Sequence, residues 1–66
     1  MTNRIKVERA ILNLTQEELA NRISVSRQTI NAMEANKYVP STVLALKIAR
    51  VFGKSVEDIF FLDTED

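Results

Sequence analysis

A three-residue break, Ser24-Val25-Ser26, separates two short helical patterns in this 66-residue chain and leaves few folds open to it. The first pattern runs from Gln16 to about Ile23, and the second from Arg27 to about Ala35. Two helices joined by so short a connection must cross at a steep angle and bury their facing sides. The residues expected on those sides are all apolar: Leu19, Ala20, Ile23, Val25, Ile30 and Met33. The window predicts a helix-turn-helix at about residues 16–35.

Residues that favour helix ends divide the chain into five predicted helices, since one glycine and one proline mark few breaks. Besides the central pair, helices are expected at about residues 3–13, at about 42–52 and just after residue 55. Hydroxyl side chains suited to N-caps precede the last four helices: Thr15, Ser26, Ser41 and Ser55. Thr15 and Glu18 have the spacing of a capping box. Asn36 and Gly53 suit the left-handed positions that end the third and fourth helices.

No run of residues reads convincingly as a strand, and residues 60–62 are the only candidate. We therefore expect an all-α, compact five-helix fold in one domain spanning residues 1–66, with an acidic, extended or frayed tail at 61–66. The chain has no cysteine for a disulfide and no Cys/His set for zinc. Its stability must come from close packing, with the core completed by Leu44, Ile48, Val51, Phe52, Ile59 and Phe60.

Charge is divided unevenly along a chain whose formal net charge is zero. Residues 22–54 carry six basic side chains and one acidic side chain, whereas residues 55–66 carry five acidic and no basic side chains. This asymmetry indicates a basic middle for an anionic partner and an acidic end that does not touch it. The alternative is that each charge only solvates its own helix.

Composition argues against catalysis and membrane insertion. Without histidine or cysteine the chain lacks the usual general base and the strongest nucleophile, and no metal-ligand set is visible, so we expect no enzyme, metal or cofactor. No apolar run approaches the roughly 20 residues that span a bilayer, and no signal-peptide core is visible. We expect a cytoplasmic protein with no membrane partner, and no residues remain for a domain that binds a small-molecule ligand.

The second helix of the predicted pair carries side chains suited to reading DNA. The residues that fall away from its apolar side are Arg27, Gln28, Asn31 and Ala32. Arg can pair with guanine, and Gln or Asn with adenine, in two-point geometry. The first turns of such a helix enter the major groove in helix-turn-helix proteins. The alternative is an ordinary amphipathic helix with a polar outer face.

Five blocks of sequence, in this order, closely resemble the XRE, or Cro/repressor-type, helix-turn-helix family of DNA-binding transcriptional regulators. They are LTQEELA at residues 14–20, VSRQTI at 25–30, NKYVPS at 36–41, ALKIA at 45–49 and EDIF at 57–60. The resemblance covers residues 4–60. It implies a five-helix fold, sequence-specific binding to double-stranded DNA and a homodimer on a palindromic operator.

The resemblance also implies roles for individual side chains. The base-contacting positions are Arg27, Gln28, Asn31 and Ala32, of which Ala32 could meet a thymine methyl. The positions expected at the DNA phosphates are Gln16, Thr29, Asn36, Lys37 and Tyr38. Three of these have plainer alternatives: Gln16 as a good first-turn residue, Lys37 as a solvated charge, and Tyr38 as a ring packed over Pro40.

Two further pairs have implied roles away from the DNA. Arg9 and Glu34 match a partly buried ion pair that joins the first and third helices of phage repressors, so we expect a structural role. Phe61 and Leu62 directly follow Phe60, and three consecutive residues cannot all point inward. We predict that the exposed ones form a dimer interface. The alternative is that one of them covers the base of the first helix.

Three residues depart from the family's pattern. Ser24 and Asn36 stand where glycine is common; Ser would cost on the order of 1 kcal/mol at positive φ, whereas Asn tolerates it better. Glu8 stands where a core leucine is common and cannot be buried unpaired. We expect either a slightly rotated first helix or compensating apolar surface from Val7 and Ile11.

The function predicted first is a homodimeric repressor that occludes its operator. Antitoxins and restriction-modification controllers share this fold and remain alternatives. An adaptor that has kept the fold but lost DNA binding is a third possibility, and the intact Arg27-Gln28 pair and the basic stretch argue against it.

Overall fold

The computed structural model describes all 66 residues, which form five helices and a short two-stranded sheet. The helices are α1 (Ile5–Ile11), α2 (Gln16–Ile23), α3 (Arg27–Glu34), α4 (Thr42–Phe52) and α5 (Val56–Ile59). The strands are β1 (Thr2–Asn3) and β2 (Phe60–Phe61), which pair antiparallel. The five-helix prediction is confirmed, and the sheet is an addition to the all-α expectation. None of the helices combines the length and apolar character needed to cross a membrane.

The sheet corrects the predicted ends of the chain. The first helix begins at Ile5 and not at about residue 3, because Thr2 and Asn3 are extended and pair with β2. Asn3 Oδ1 accepts a hydrogen bond from the Ile5 amide at 3.1 Å and so supports the start of α1. Phe61 belongs to β2 and is not part of a frayed tail. Beyond it, the Asp63 amide donates to the Asp66 carboxylate at 2.7 Å and closes a turn.

Hydroxyl caps begin the helices where the sequence predicts them. The Thr15 hydroxyl accepts from the Glu18 amide at 3.0 Å, and the Glu18 carboxylate accepts from the Thr15 amide at 2.9 Å. These two bonds complete the predicted capping box. Ser26 and Ser41 each accept from the backbone amide three residues later. Ser55 precedes α5 with the same extended backbone.

Four helices end in the same way, at a residue with positive φ. These residues are Asn13 (58°), Ser24 (59°), Asn36 (60°) and Gly53 (66°). After each of them, the next backbone amide donates to the carbonyl five residues earlier, at 2.9 to 3.1 Å. This is the Schellman arrangement, which satisfies carbonyls left over at a helix C-terminus. The predictions for Asn36 and Gly53 are confirmed, and Ser24 adopts the costly conformation.

One hydrophobic core joins all the helices. Its buried members are Ile5, Leu14, Leu19, Ala20, Ile23, Ile30, Met33, Ile48, Ala49, Phe52, Ile59 and Phe60. Val25, Leu44 and Val51 pack against its margin. α2 packs against both α3 and α4, so the predicted contact between the two central helices is formed.

Glu8 is buried in α1 with its charge paired. Only 3% of the residue is exposed. Its carboxylate lies 2.9 Å from Lys54 Nζ and 3.8 Å from Arg4 Nε. The prediction that Val7 and Ile11 replace a missing core side chain is wrong, because both are exposed. A cation from just beyond α4 makes the burial of this carboxylate tolerable.

Candidate nucleic-acid interface

The first turns of α3 present polar side chains at the surface. Ile30 and Met33 are fully buried, and this fixes the rotation of α3 about its axis. Arg27 and Gln28 are consequently exposed, and neither makes a side-chain hydrogen bond or ion pair within the protein. Ser26 holds the start of the helix, since its hydroxyl accepts from the Thr29 amide at 3.1 Å. The helix therefore offers an unpaired guanidinium and an unpaired amide from a rigid base.

An ion pair ties this helix to α1. Arg9 Nε donates to Glu34 Oε2 at 2.6 Å, and Arg9 Nη2 donates to Glu34 Oε1 at 3.1 Å. The third guanidinium nitrogen donates to the Leu14 carbonyl at 2.8 Å. The two charged side chains are 15% and 8% exposed, so water screens the pair weakly. Glu34 is the acidic residue of the basic stretch, and Arg9 neutralises it.

The pKa values of both partners reflect this contact. Burial would raise the pKa of Glu34, but hydrogen bonds from Arg9 and Gln16 and the charge of Arg9 together lower it below its ordinary value. The hydrogen bond to Glu34 raises the pKa of Arg9, against the opposing effect of burial. The pair is thus fully ionised at neutral pH.

Gln16 belongs to the same network. Its Nε2 donates to Glu34 Oε1 at 3.0 Å and to Asn31 Oδ1 at 3.2 Å. The residues around it line a polar hollow of about 260 Å³: Lys6, Arg9, Gln16, Asn31, Glu34 and Ala35. Both N–H groups of the Gln16 amide are used inside the protein. Only its side-chain oxygen and the backbone amides of the first turn of α2 remain for an outside partner.

The remaining predicted contact residues lie along α3 and in the loop that follows it. Asn31 is exposed one turn after Arg27, and Ala32 is half-buried beside it. Thr29 is half-buried, with its hydroxyl 3.0 Å from Ser26 Oγ. The loop after α3 exposes Asn36, Lys37 and Tyr38.

Asn3 is a supporting residue that was not predicted. Its Nδ2 donates to the Met33 carbonyl at 2.8 Å and to Asn36 Oδ1 at 3.2 Å. It therefore holds the C-terminal end of α3 and the following loop against β1. The contact spans about half the chain, and no local pattern around Asn3 distinguishes it from a solvated asparagine.

Besides Val7 and Ile11 on α1, apolar side chains are exposed at the C-terminal end of the chain and around the start of α4. Phe60 is buried, whereas Phe61 is 39% exposed and Leu62 is 78% exposed. Val39, Val43 and Leu46 form a second, unpredicted exposed set at the loop before α4 and along its first turns. A cavity of about 210 Å³ lies beside that second set.

Two short helices that pack through a shared core, the second with exposed Arg27 and Gln28 at its start, form a helix-turn-helix. The chain belongs to the helix-turn-helix family of transcriptional regulators, whose pattern it matches over residues 5–59. It is 53% identical to an HTH-type transcriptional regulator of Methanocaldococcus jannaschii, with all of both chains covered. An HTH-type regulator of Archaeoglobus fulgidus is 56% identical, over all of this chain and 93% of the relative. YgzD of Bacillus subtilis, also an HTH-type transcriptional regulator, is 44% identical over all of both chains.

Proposed function

We propose that this protein is a homodimeric repressor that binds a palindromic operator and blocks access to the DNA it covers. The observation that carries the proposal is the start of α3, where Arg27 and Gln28 are exposed and have no partner within the protein. An exposed guanidinium and an exposed amide at the start of a helix are free to bond an outside partner, and both match base edges in the major groove.

In this proposal, contacts divide into those that read sequence and those that hold position. The base-contacting residues are Arg27, Gln28, Asn31 and Ala32. The phosphate-contacting residues are Gln16, Thr29, Asn36, Lys37 and Tyr38. Lys37 is supported as a phosphate contact by its exposure in the loop directly after α3. Gln16 would use its backbone amide, since its side-chain N–H groups are already bonded.

The proposed dimer has twofold symmetry and contains Phe61 and Leu62 in its interface. Their exposure beside a buried Phe60 supports this assignment. Two recognition helices related by a twofold axis would read half-sites about 34 Å apart, which gives a palindromic operator. The domain, residues 1–66, acts in the cytoplasm by occupying DNA, with no catalytic step.

The test is selection of bound sequences from a random duplex pool, followed by affinity measurements at several salt concentrations. We expect a palindromic sequence to be enriched and Arg27→Ala or Gln28→Ala to lose about 1–3 kcal/mol on it, with relaxed preference at one base pair per half-site. Lys37→Ala should weaken binding to all sequences and reduce the salt slope by about one.

Lys47→Ala serves as the matched control, because it removes an exposed cation on α4 outside the proposed contact set. It should leave base preference unchanged. Unaltered specificity in both the Arg27 and Gln28 variants would contradict their assignment, and an unaltered salt slope would return Lys37 to the role of a solvated charge. Binding without any sequence enrichment would contradict the proposed function itself.

A further inference from the structure

The Arg9–Glu34 ion pair begins a series of hydrogen bonds that reaches the surface through Gln16 and Asn31. The pair fixes the polarity of this series, that is, which atom donates and which accepts at each step. A guanidinium can only donate and a carboxylate can only accept. Glu34 Oε1 receives Arg9 Nη2 at 3.1 Å, and the Gln16 amide lies 3.0 Å from the same oxygen. The Gln16 atom that faces Glu34 must therefore be its nitrogen, Nε2.

The same nitrogen sets the orientation of the next side chain. Its second N–H points to Asn31 at 3.2 Å, so the facing Asn31 atom must be the acceptor, Oδ1. Asn31 is on the exposed side of α3, and its Nδ2 makes no hydrogen bond within the protein. The donor end of the Asn31 amide is thus the end left for a ligand, and the buried charge of Glu34 dictates this orientation through Gln16.

We propose that Asn31 reads the operator as a hydrogen-bond donor and that Gln16 is the positioning residue that holds it in this polarity. The proposal rests on the proposed DNA-binding function and specifies the base. Guanine offers two acceptors, N7 and O6, to an incoming donor, whereas adenine places one acceptor beside its N6 donor. Cytosine offers only a donor, and thymine offers a single acceptor, O4, next to its methyl group, so only guanine gives the donor two acceptors. The base facing Asn31 is guanine, and the two-point adenine contact expected of a free asparagine is lost because Oδ1 is held by Gln16.

The experiment is sequence selection from a random duplex pool with the intact protein and four variants. Asn31→Ala identifies the position that Asn31 reads, as the one whose preference disappears. At that position we expect the unmodified protein to prefer guanine over adenine by about tenfold. Gln16→Met removes the tether while keeping the side-chain length, which frees the amide to rotate. The guanine-to-adenine ratio should then fall to about one, with the Arg27 position unchanged.

Two variants make the test independent of a change in folding. Lys47→Met introduces the same methionine at an exposed position of α4 outside the proposed contact set, and it should leave the Asn31 position as it was. Asn31→Asp keeps an oxygen for Gln16 but turns a second acceptor outward, so the preference should move to cytosine or adenine. Because Asn31 is exposed, this change should not disturb the core. Thermal unfolding of each variant checks that the fold is retained.

The outcomes separate this proposal from the one it rests on. Adenine at the Asn31 position in the unmodified protein, or a guanine preference that survives Gln16→Met, overturns the polarity proposal and leaves the repressor proposal standing. If Asn31→Ala leaves the enriched sequence unchanged at every position, the polarity proposal is likewise wrong and the repressor proposal stands. Failure of the unmodified protein to enrich any sequence overturns both.

Discussion

Ser24 carries a conformational cost that a single substitution can remove. Its φ of 59° is in the left-handed region, where a Cβ crowds the backbone and glycine does not. We expect Ser24→Gly to raise the free energy of unfolding by about 0.5–1 kcal/mol, with the greater flexibility of glycine in the unfolded chain offsetting part of the gain. Urea titration measures the change.

Ser41→Gly is the matched control, because Ser41 has a φ of −63° and its hydroxyl accepts from the Leu44 amide. The same substitution there relieves no strain and should cost a few tenths of a kcal/mol. Equal effects at the two serines would show that the positive φ of Ser24 carries no strain.

Apart from the Arg9–Glu34 pair, which the family resemblance implied across 25 positions, the residues that were predicted correctly are those whose roles depend on near neighbours. Thr15 caps α2 because Glu18 follows three positions later, and Asn36 ends α3 because Asn tolerates positive φ. Glu8 was anticipated as a problem, but its partner Lys54 lies 46 positions away and could not be read from spacing. Asn3 gave no signal at all, since its contacts are with the distant end of α3.

At the scale of helices, the Arg9–Glu34 pair fixes the position of α1 against α3. Its net contribution to the free energy of unfolding is small, because both charges lose water when they are buried. Removing one partner leaves a poorly solvated charge, so Arg9→Met should lower the free energy of unfolding by about 3 kcal/mol. The double variant Arg9→Met, Glu34→Leu should recover most of that loss, because two desolvated charges are replaced by apolar packing. Additive losses in the double variant, measured by urea titration, would contradict this account.

The same pair makes the free energy of unfolding depend on pH. The folded chain holds the pKa of Glu34 below the ordinary value of 4.5, so the unfolded chain takes up a proton more readily. The contribution of the pair is therefore complete above about pH 4.5 and is lost as the pH falls through the lower, folded pKa. Unfolding free energies at pH 6, 4 and 3 should fall less steeply in the double variant than in the unmodified protein. Glu17→Gln, on the exposed surface of α2, is the control and should keep the original slope.

Helical periodicity was sufficient to predict which face of α3 is exposed, because Ile30 and Met33 leave one orientation open to an eight-residue helix. It was not sufficient to predict whether Asn31 presents its donor or its acceptor atom on that face. Residue type suggested that Asn31 pairs with adenine, and only the position of Gln16 across the α2–α3 contact shows that Asn31 Oδ1 is turned toward α2. A prediction from sequence treats each side chain as free, whereas a site is built from side chains that constrain one another.

For the molecule as a whole, the short sheet decides which apolar residues are left outside. Phe61 and Thr2 pair across β1 and β2, and Phe60 turns into the core from the adjacent position. The alternation of a strand then places Phe61 on the other side. Leu62, just beyond the end of β2, is exposed as well. A helix or a frayed tail at this point would not have placed Phe60 inside and Phe61 outside. The exposure of Phe61, on which the proposed dimer interface depends, thus has a physical basis in a strand that the sequence signalled only weakly.

Oligomeric state tests this interface directly. Leu62→Asp places a charge at the proposed twofold contact without touching β2, and it should convert a dimer of the 7.5 kDa chain into a monomer by sedimentation equilibrium. Operator affinity should fall by at least tenfold, since two half-sites are no longer engaged together, while base preference within a half-site is kept.

Leu46→Asp is the control, because it adds the same charge to the other exposed apolar set, on α4. If the Leu62 variant remains dimeric and the Leu46 variant dissociates, the interface lies on α4 and the assignment of Phe61 and Leu62 is wrong. If the unmodified protein is monomeric at concentrations that saturate the operator, the chain binds its half-sites independently and the proposal of a preformed dimer is wrong. The half-sites would then be free to vary in spacing, because no fixed interface would hold the two α3 helices about 34 Å apart.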